Sequence, residues 1–262
     1  MASPHLQLYS LHLSPWSERA RWVLEHHALA YRKIEHIPFL GERRLRRVLG
    51  NPAGSATVPV LIADGQLLKD SWEIALYAER VGHGAPLIGD AQAEVRRWHD
   101  LAERAMAAGR ALTIARTLAS DEALEETVAA PRFVRPLLRP VGRHALRWFA
   151  RKYQLDLEPA RAAAAAQPVR DALDQLRREL GGAQYLLGRF SYADIIAASL
   201  LQGVSPVSDR YLRLGPATRR VWTQTELATS YADLIAWRDR LYDQHRRARP
   251  EPAASAEARG AA

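Results

Sequence analysis

The alternation of apolar and polar positions begins at once. Residues 5–10 (HLQLYS) predict a strand. From Trp16 to about His27 the apolar positions recur at helical spacing, with Ala20, Val23, Leu24 and His27 on one face. Residues 31–37 (YRKIEHI) alternate again, as a second strand, and residues 42–49 (ERRLRRVL) form a short basic helix. In residues 58–70 (VPVLIADGQLLKD) two short apolar strands flank Asp64-Gly65, a pair suited to a hairpin turn. Ser71 then caps the helix SWEIALYAERVG, which stops at Gly82. The order is βαβαββα.

After a Gly- and Pro-bearing linker at 83–91, every periodic segment is helical. Residues 91–119 form one long helix with Trp98, Leu101, Ala105 and Met106 on its apolar side. Another spans 157–181, contains an alanine run and stops at Gly181-Gly182. A third spans 191–204, where Ser191 and Asp194 have capping-box spacing and are read as structure. A fourth spans 230–245, with Tyr231 and Trp237 as packing residues. The last residues, 246–262, are small, polar and Pro-containing, and are expected to be disordered. The expected domains are therefore 1–82, a linker at 83–91, an all-helical 92–245 and a tail at 246–262.

Composition narrows the function classes. With 48% hydrophobic and 25% charged residues the chain has the make-up of a soluble globular protein. No apolar run approaches a membrane span, and MASPHLQLYS lacks the pattern of a secretory signal, so a cytoplasmic location is expected. The chain has no cysteine, hence no disulfide, no thiolate metal ligand and no cysteine nucleophile. The histidines show no metal-ligand spacing, and no metal is expected. The net charge of +8 is concentrated in residues 131–153, which hold Arg132, Arg135, Arg139, Arg143, Arg147, Arg151 and Lys152 and no acid. Charge so localised does not suggest a nucleic-acid footprint.

Residues 14–17, Ser-Pro-Trp-Ser, have the shape of a redox motif with serine at both reactive positions. Further on come Asn51-Pro52, then Val58-Pro59-Val60-Leu61, then Asp70-Ser71, then Gly188-Arg189-Phe190-Ser191-Tyr192-Ala193-Asp194-Ile195. In this order the set resembles the cytosolic glutathione transferases, over about residues 5–245. The resemblance implies a thioredoxin-like α/β domain followed by an all-α domain, usually in a homodimer, with glutathione as co-substrate. The four residues at 14–17 are most similar to the omega-like subset, where the first position is typically cysteine.

The resemblance also assigns roles. Pro59 would be cis, with Val58 pairing strand-fashion with the cysteinyl part of glutathione. The helix start at Asp70-Ser71 would receive the γ-glutamyl group, Ser71 taking the carboxylate and Asp70 the ammonium. Ser14 is the catalytic candidate: it would donate a hydrogen bond to the glutathione thiolate and would not attack. Its plain alternative is an ordinary helix cap. Serine cannot form a mixed disulfide, so conjugation is expected over thiol–disulfide exchange. Tyr9 is a second catalytic candidate whose place inside a strand favours packing. Leu11, Trp16, Met106 and Arg110 are candidates for the pocket of a hydrophobic electrophile. Many relatives carry a lysine shortly before the cis-proline, where this chain has Ser55-Ala56-Thr57. Arg43, Arg44 or Arg47 could substitute, or form a solvated basic face.

Residues 131–154 fit the resemblance least. The favoured reading is an insertion that packs its apolar side on the domain and turns its arginines to water. The sharper one is a basic amphipathic helix, from about Pro140, that meets an anionic membrane or an acidic partner. The alternative function is thus a non-catalytic glutathione- or ligand-binding protein of the same fold, associating with a membrane or acidic partner through this segment.

Overall fold

The computed structural model describes residues 6–128, 130–131, 133–158, 161, 164 and 166–248. Strands β1 (Leu6–Ser10), β2 (Tyr31–Glu35), β3 (Val60–Ala63) and β4 (Gln66–Leu68) form one sheet in the order β2-β1-β3-β4. β1 and β2 are parallel; β3 is antiparallel to β1 and β4. The β3–β4 turn falls on Asp64-Gly65, both at positive φ (49° and 80°), which the two central positions of a tight hairpin turn demand. Helices α1 (Pro15–His26) and α3 (Ser71–Val81) pack against each other, and α2 (Glu42–Val48) follows β2.

Two details differ from the sequence reading. Asp70, not Ser71, is the N-cap of α3: its Oδ1 accepts from the Trp72 and Glu73 N–H groups, each at 2.8 Å. Gly82 ends α3 with φ −90°, so it serves close approach and no left-handed turn. A Cβ there would lie 2.4 Å from the His27 Cβ.

A short 3₁₀ turn (Gly89–Ala91) leads into α4 (Gln92–Ala119), then α5 (Asp121–Glu126), α6 (Arg135–Lys152), α7 (Ala166–Leu180), α8 (Tyr192–Leu201), α9 (Pro216–Trp222), α10 (Thr225–Ser230) and α11 (Ala232–His245). The helix expected over 157–181 is described at 166–180; much of its alanine run lies outside the described residues. The capping box at Ser191 and Asp194 is present and buried. Helices α5, α9 and α10 were not expected, being too short for a periodic signal.

α6 also departs from expectation. It begins at Arg135, not near Pro140, because Pro136 sits in the first turn, where its missing N–H costs no bond, and the helix runs on through Pro140. Its arginines divide between two sides as well. Arg139 meets Asp121 at 2.8 Å and Glu125 at 2.7 Å, and Arg143 meets Asp121 at 3.1 Å, all on α5. Phe133, Leu137 and Val141 stand in solvent. Thus two arginines face the domain and three apolar side chains face outward, against the favoured reading of this insertion, while Arg147 and Arg151 are exposed and Leu138, Leu146 and Phe149 half-buried, in keeping with it.

One continuous buried cluster joins the α1–α3 face of the sheet, through Leu8, Val23, Trp72 and Ile74, to Trp98, Leu173, Ile196 and Trp237 of the helical half. A smaller one on the opposite face holds Tyr9, Ile34, Leu45, Ala56 and Val60 under α2. Tyr9 therefore packs, with Arg44 over its ring.

Arg246 lies within the stretch expected to be disordered, yet it is buried and paired. Its Nε donates to Glu18 at 2.8 Å and its Nη1 to Glu25. Residues 249–262 lie outside the described residues. Burial alone would raise the Glu18 carboxyl, but Arg246 and Arg21 outweigh it and hold it at about 2. A carboxylate depressed from 4.5 stabilises the fold above that pH and loses its contribution as pH falls toward 2. Urea unfolding across this range should show a loss of ~3 kcal/mol that Glu18→Gln largely removes. An unchanged slope in the variant would refute this assignment.

Candidate functional site

The register of the sheet brings three chain crossings to one edge. Tyr9 pairs with Val60 and Leu61 with Leu68. The exit of β1 toward Ser14, the entry to β3 at Val58-Pro59 and the exit of β4 at Asp70-Ser71 therefore lie at the same end. At each crossing a polar group keeps hydrogen-bonding capacity to spare.

Ser14 is the N-cap of α1, in extended conformation. Its Oγ accepts from the Ser17 N–H at 3.3 Å, which leaves its own O–H free to donate. The cap and the candidate donor are thus the same hydroxyl. Ser17 is buried, and its Oγ accepts from the Leu11 N–H at 3.1 Å. Of the two serines, only Ser14 is available. The Val58-Pro59 peptide is cis, and Val58 makes no backbone hydrogen bond among the described residues. Ser71 is buried, with an Oγ that has no partner at the N-terminus of α3, where backbone N–H groups converge. Its carbonyl accepts from the Tyr192 hydroxyl at 2.9 Å, so the helical half steadies this crossing. Asp70 is exposed, with Oδ1 engaged in capping.

The helical half supplies the facing wall. The Trp16 indole donates to both carboxylate oxygens of Glu103, at 2.8 and 2.7 Å. The Arg110 guanidinium lies 4.3 Å from the ring centres of Trp16 and Tyr153. Arg110 is half-buried, forms no ion pair among the described residues, and burial pulls its pKa down. Met106 does not join this wall: it is buried, its sulfur 2.8 Å from Arg19 Nη2. Leu11 is half-buried at the start of the β1–α1 loop.

Sequence reasoning missed Lys152. Its Nζ donates to Glu42 Oε1 at 2.6 Å and to the Ala56 carbonyl, two residues before Val58. The place that lacks a lysine in the local sequence is reached by one from the end of α6. Arg44 lies over Tyr9, and Arg43 and Arg47 are exposed, so none of the three takes that place. The missed signal was the only lysine in an arginine-rich stretch; nothing in the spacing said which domain it would reach. His36 lies 3.4 Å from Glu42. Burial, opposed by Glu42, lowers its pKa and keeps it neutral near pH 7.

The profile of the glutathione S-transferase N-terminal domain family matches residues 13–81. No curated protein matches the chain. Among solved structures, a glutathione S-transferase of Ceriporiopsis subvermispora in complex with glutathione is 17% identical, with TM-score 0.64 over 95% of this chain and 100% of that one. One from Methylobacterium radiotolerans, in complex with glutathione sulfonate, is 19% identical, with TM-score 0.59 over 95% and 99%. Glutathione transferase Omega 3C from Trametes versicolor is 19% identical, with TM-score 0.52 over 94% and 90%. Residues 13–81 thus match the glutathione S-transferase N-terminal domain family, and the chain shares its fold, over 95% of its length, with a solved glutathione transferase.

Lys152 and Glu42 are both nearly buried, so removing one strands the other. Lys152→Met should cost ~3 kcal/mol in urea unfolding, and adding Glu42→Gln should recover most of it. Additive losses would show that the pair does not couple the two halves.

Proposed function

We propose that the protein is a glutathione transferase that activates the glutathione thiol through Ser14 for attack on a hydrophobic electrophile. The observation that carries this is the buried, unpartnered Ser71 Oγ at the start of α3, on the same sheet edge as the free Ser14 hydroxyl and the unbonded Val58 backbone. The γ-glutamyl carboxylate of glutathione would complete the bonding of Ser71 and the first N–H groups of α3. The free oxygen of Asp70 would face the ammonium. The Val58 backbone would pair with the cysteinyl residue and aim its sulfur at Ser14.

A free thiol has a pKa near ~8.5, and lowering it by about two units takes ~2.7 kcal/mol of selective anion stabilisation. The Ser14 O–H bond to sulfur and the positive end of α1 supply that order of magnitude. The thiol proton leaves to water. The thiolate then forms a carbon–sulfur bond while the leaving group departs with the bonding pair. With no cysteine in the chain, the nucleophile is the ligand's own sulfur. Trp16, Arg110 and Tyr153 supply the second-substrate wall, where the unpaired guanidinium suits an electrophile that sheds negative charge.

Calorimetric titration with glutathione should give saturable binding, weakened roughly tenfold to a hundredfold by Ser71→Ala. With an activated aryl halide, Ser14→Ala should lower kcat/KM by about a hundredfold while binding persists. Unchanged turnover in Ser14→Ala would remove its catalytic role. Binding with no turnover across a panel of electrophiles would leave a ligand-binding protein of the same fold.

A further inference from the structure

The exposed side of α6 has no role in the cleft. Phe133, Leu137 and Val141, each four residues from the next, are 82%, 79% and 56% exposed. Leu137 and Val141 share one helix face with His144 and Trp148, and Phe133 stands just before the first turn. The Phe39 ring packs on His144 and Trp148 at 5.6 and 5.7 Å, which sets the β2–α2 loop tip beside α6. The same loop exposes Ile37 and Leu40, the latter at 73%. Two separate segments therefore present one apolar front.

The charge along α6 has one sign. No acid occurs between Glu126 and Asp156. Arg139 and Arg143 are turned to α5, but Arg147 and Arg151 form no ion pair among the described residues. Arg147 and Arg151 also border an open depression of about 570 Å³ with Gln154 and Asp156, and that acid pairs with Arg161 at 2.8 Å. Arg43 and Arg47 stand exposed on α2, just past the loop tip. Among the described residues no helix is long and apolar enough to cross a membrane.

We propose that this face docks the protein on an anionic membrane surface, with Leu40, Phe133, Leu137 and Val141 entering the acyl boundary and the unpaired arginines meeting lipid phosphates. Large apolar side chains ringed by cations are what such an interface selects. A second copy of the chain fits poorly, because a twofold pairing would set an acid-free face on itself. The chain's C-terminal residues 249–262 hold no Leu, Ile, Val, Phe, Tyr or Trp with which to cover it. The proposal is independent of the chemistry in the cleft.

The test is co-sedimentation of the full chain with vesicles of phosphatidylcholine alone and of phosphatidylcholine mixed with phosphatidylglycerol, at low and raised salt. The protein should pellet with the anionic vesicles only, and less so as salt rises. Leu137→Ser/Val141→Ser and, separately, Arg147→Gln/Arg151→Gln should each weaken partitioning by roughly tenfold or more. Both pairs lie at the surface, and thermal melts establish that the variants remain folded. If one pair does unfold the chain, the other decides. The proposal fails if the wild type ignores anionic vesicles at low salt, or if both folded variants bind as it does. It fails in favour of a second copy if sedimentation velocity shows a dimer that the Leu137/Val141 variant splits, with no vesicle binding.

Discussion

The arrangement of the cleft depends on one buried cation. Arg19 of α1 is fully enclosed. Its Nε donates to Ser199 Oγ of α8 at 2.6 Å and its Nη1 to Glu103 of α4 at 2.7 Å. A buried guanidinium is tolerable only when its donors are met, and here the partners all come from the other half of the chain. Arg19 thereby fixes the rotation of α1 against α4 and α8. Glu103 also holds the Trp16 indole, so the same carboxylate pins the first turn of α1, just after Ser14. The turn of α1 that follows Ser14 is therefore held by contacts between the two halves, not within the thioredoxin-like half alone.

A second tie crosses at the opposite side of the cleft. Lys152 ends α6, holds Glu42 and the Ala56 carbonyl, and so links the insertion to the loop that leads into Val58-Pro59. Tyr153, the next residue, stacks on Arg110. The insertion thus brings a cation to the loop before Val58-Pro59. The ion pairs of α6 to α5 are largely solvent-exposed and add little energy, but they set which face of the helix turns outward.

How much of this was legible depended on the range of the cause. The hairpin at Asp64-Gly65, the element order βαβαββα and the capping box at Ser191 follow from local chemistry, and the sequence carried each of them. The roles of Ser14, Val58 and Ser71 were legible only through resemblance; periodicity alone placed them merely at element ends. The cap of α3 was read one residue late because Asp70 and Ser71 are both good caps, and the choice turned on burial of Ser71. That Arg139 and Arg143 of α6 turn inward was not legible, for a physical reason. An amphipathic pattern tells which residues share a face but not which face the acids of α5 will claim. Lys152 and Arg19 were invisible as ties because their partners lie 110 and 84 residues away.

The placement of sulfur has a further consequence. The chain has two methionines and no cysteine, and Met106 is sealed against Arg19. An alkylating or oxidising reagent that meets this protein finds no thiolate to consume. No alkylation or oxidation of a thiol can therefore inactivate the polypeptide itself.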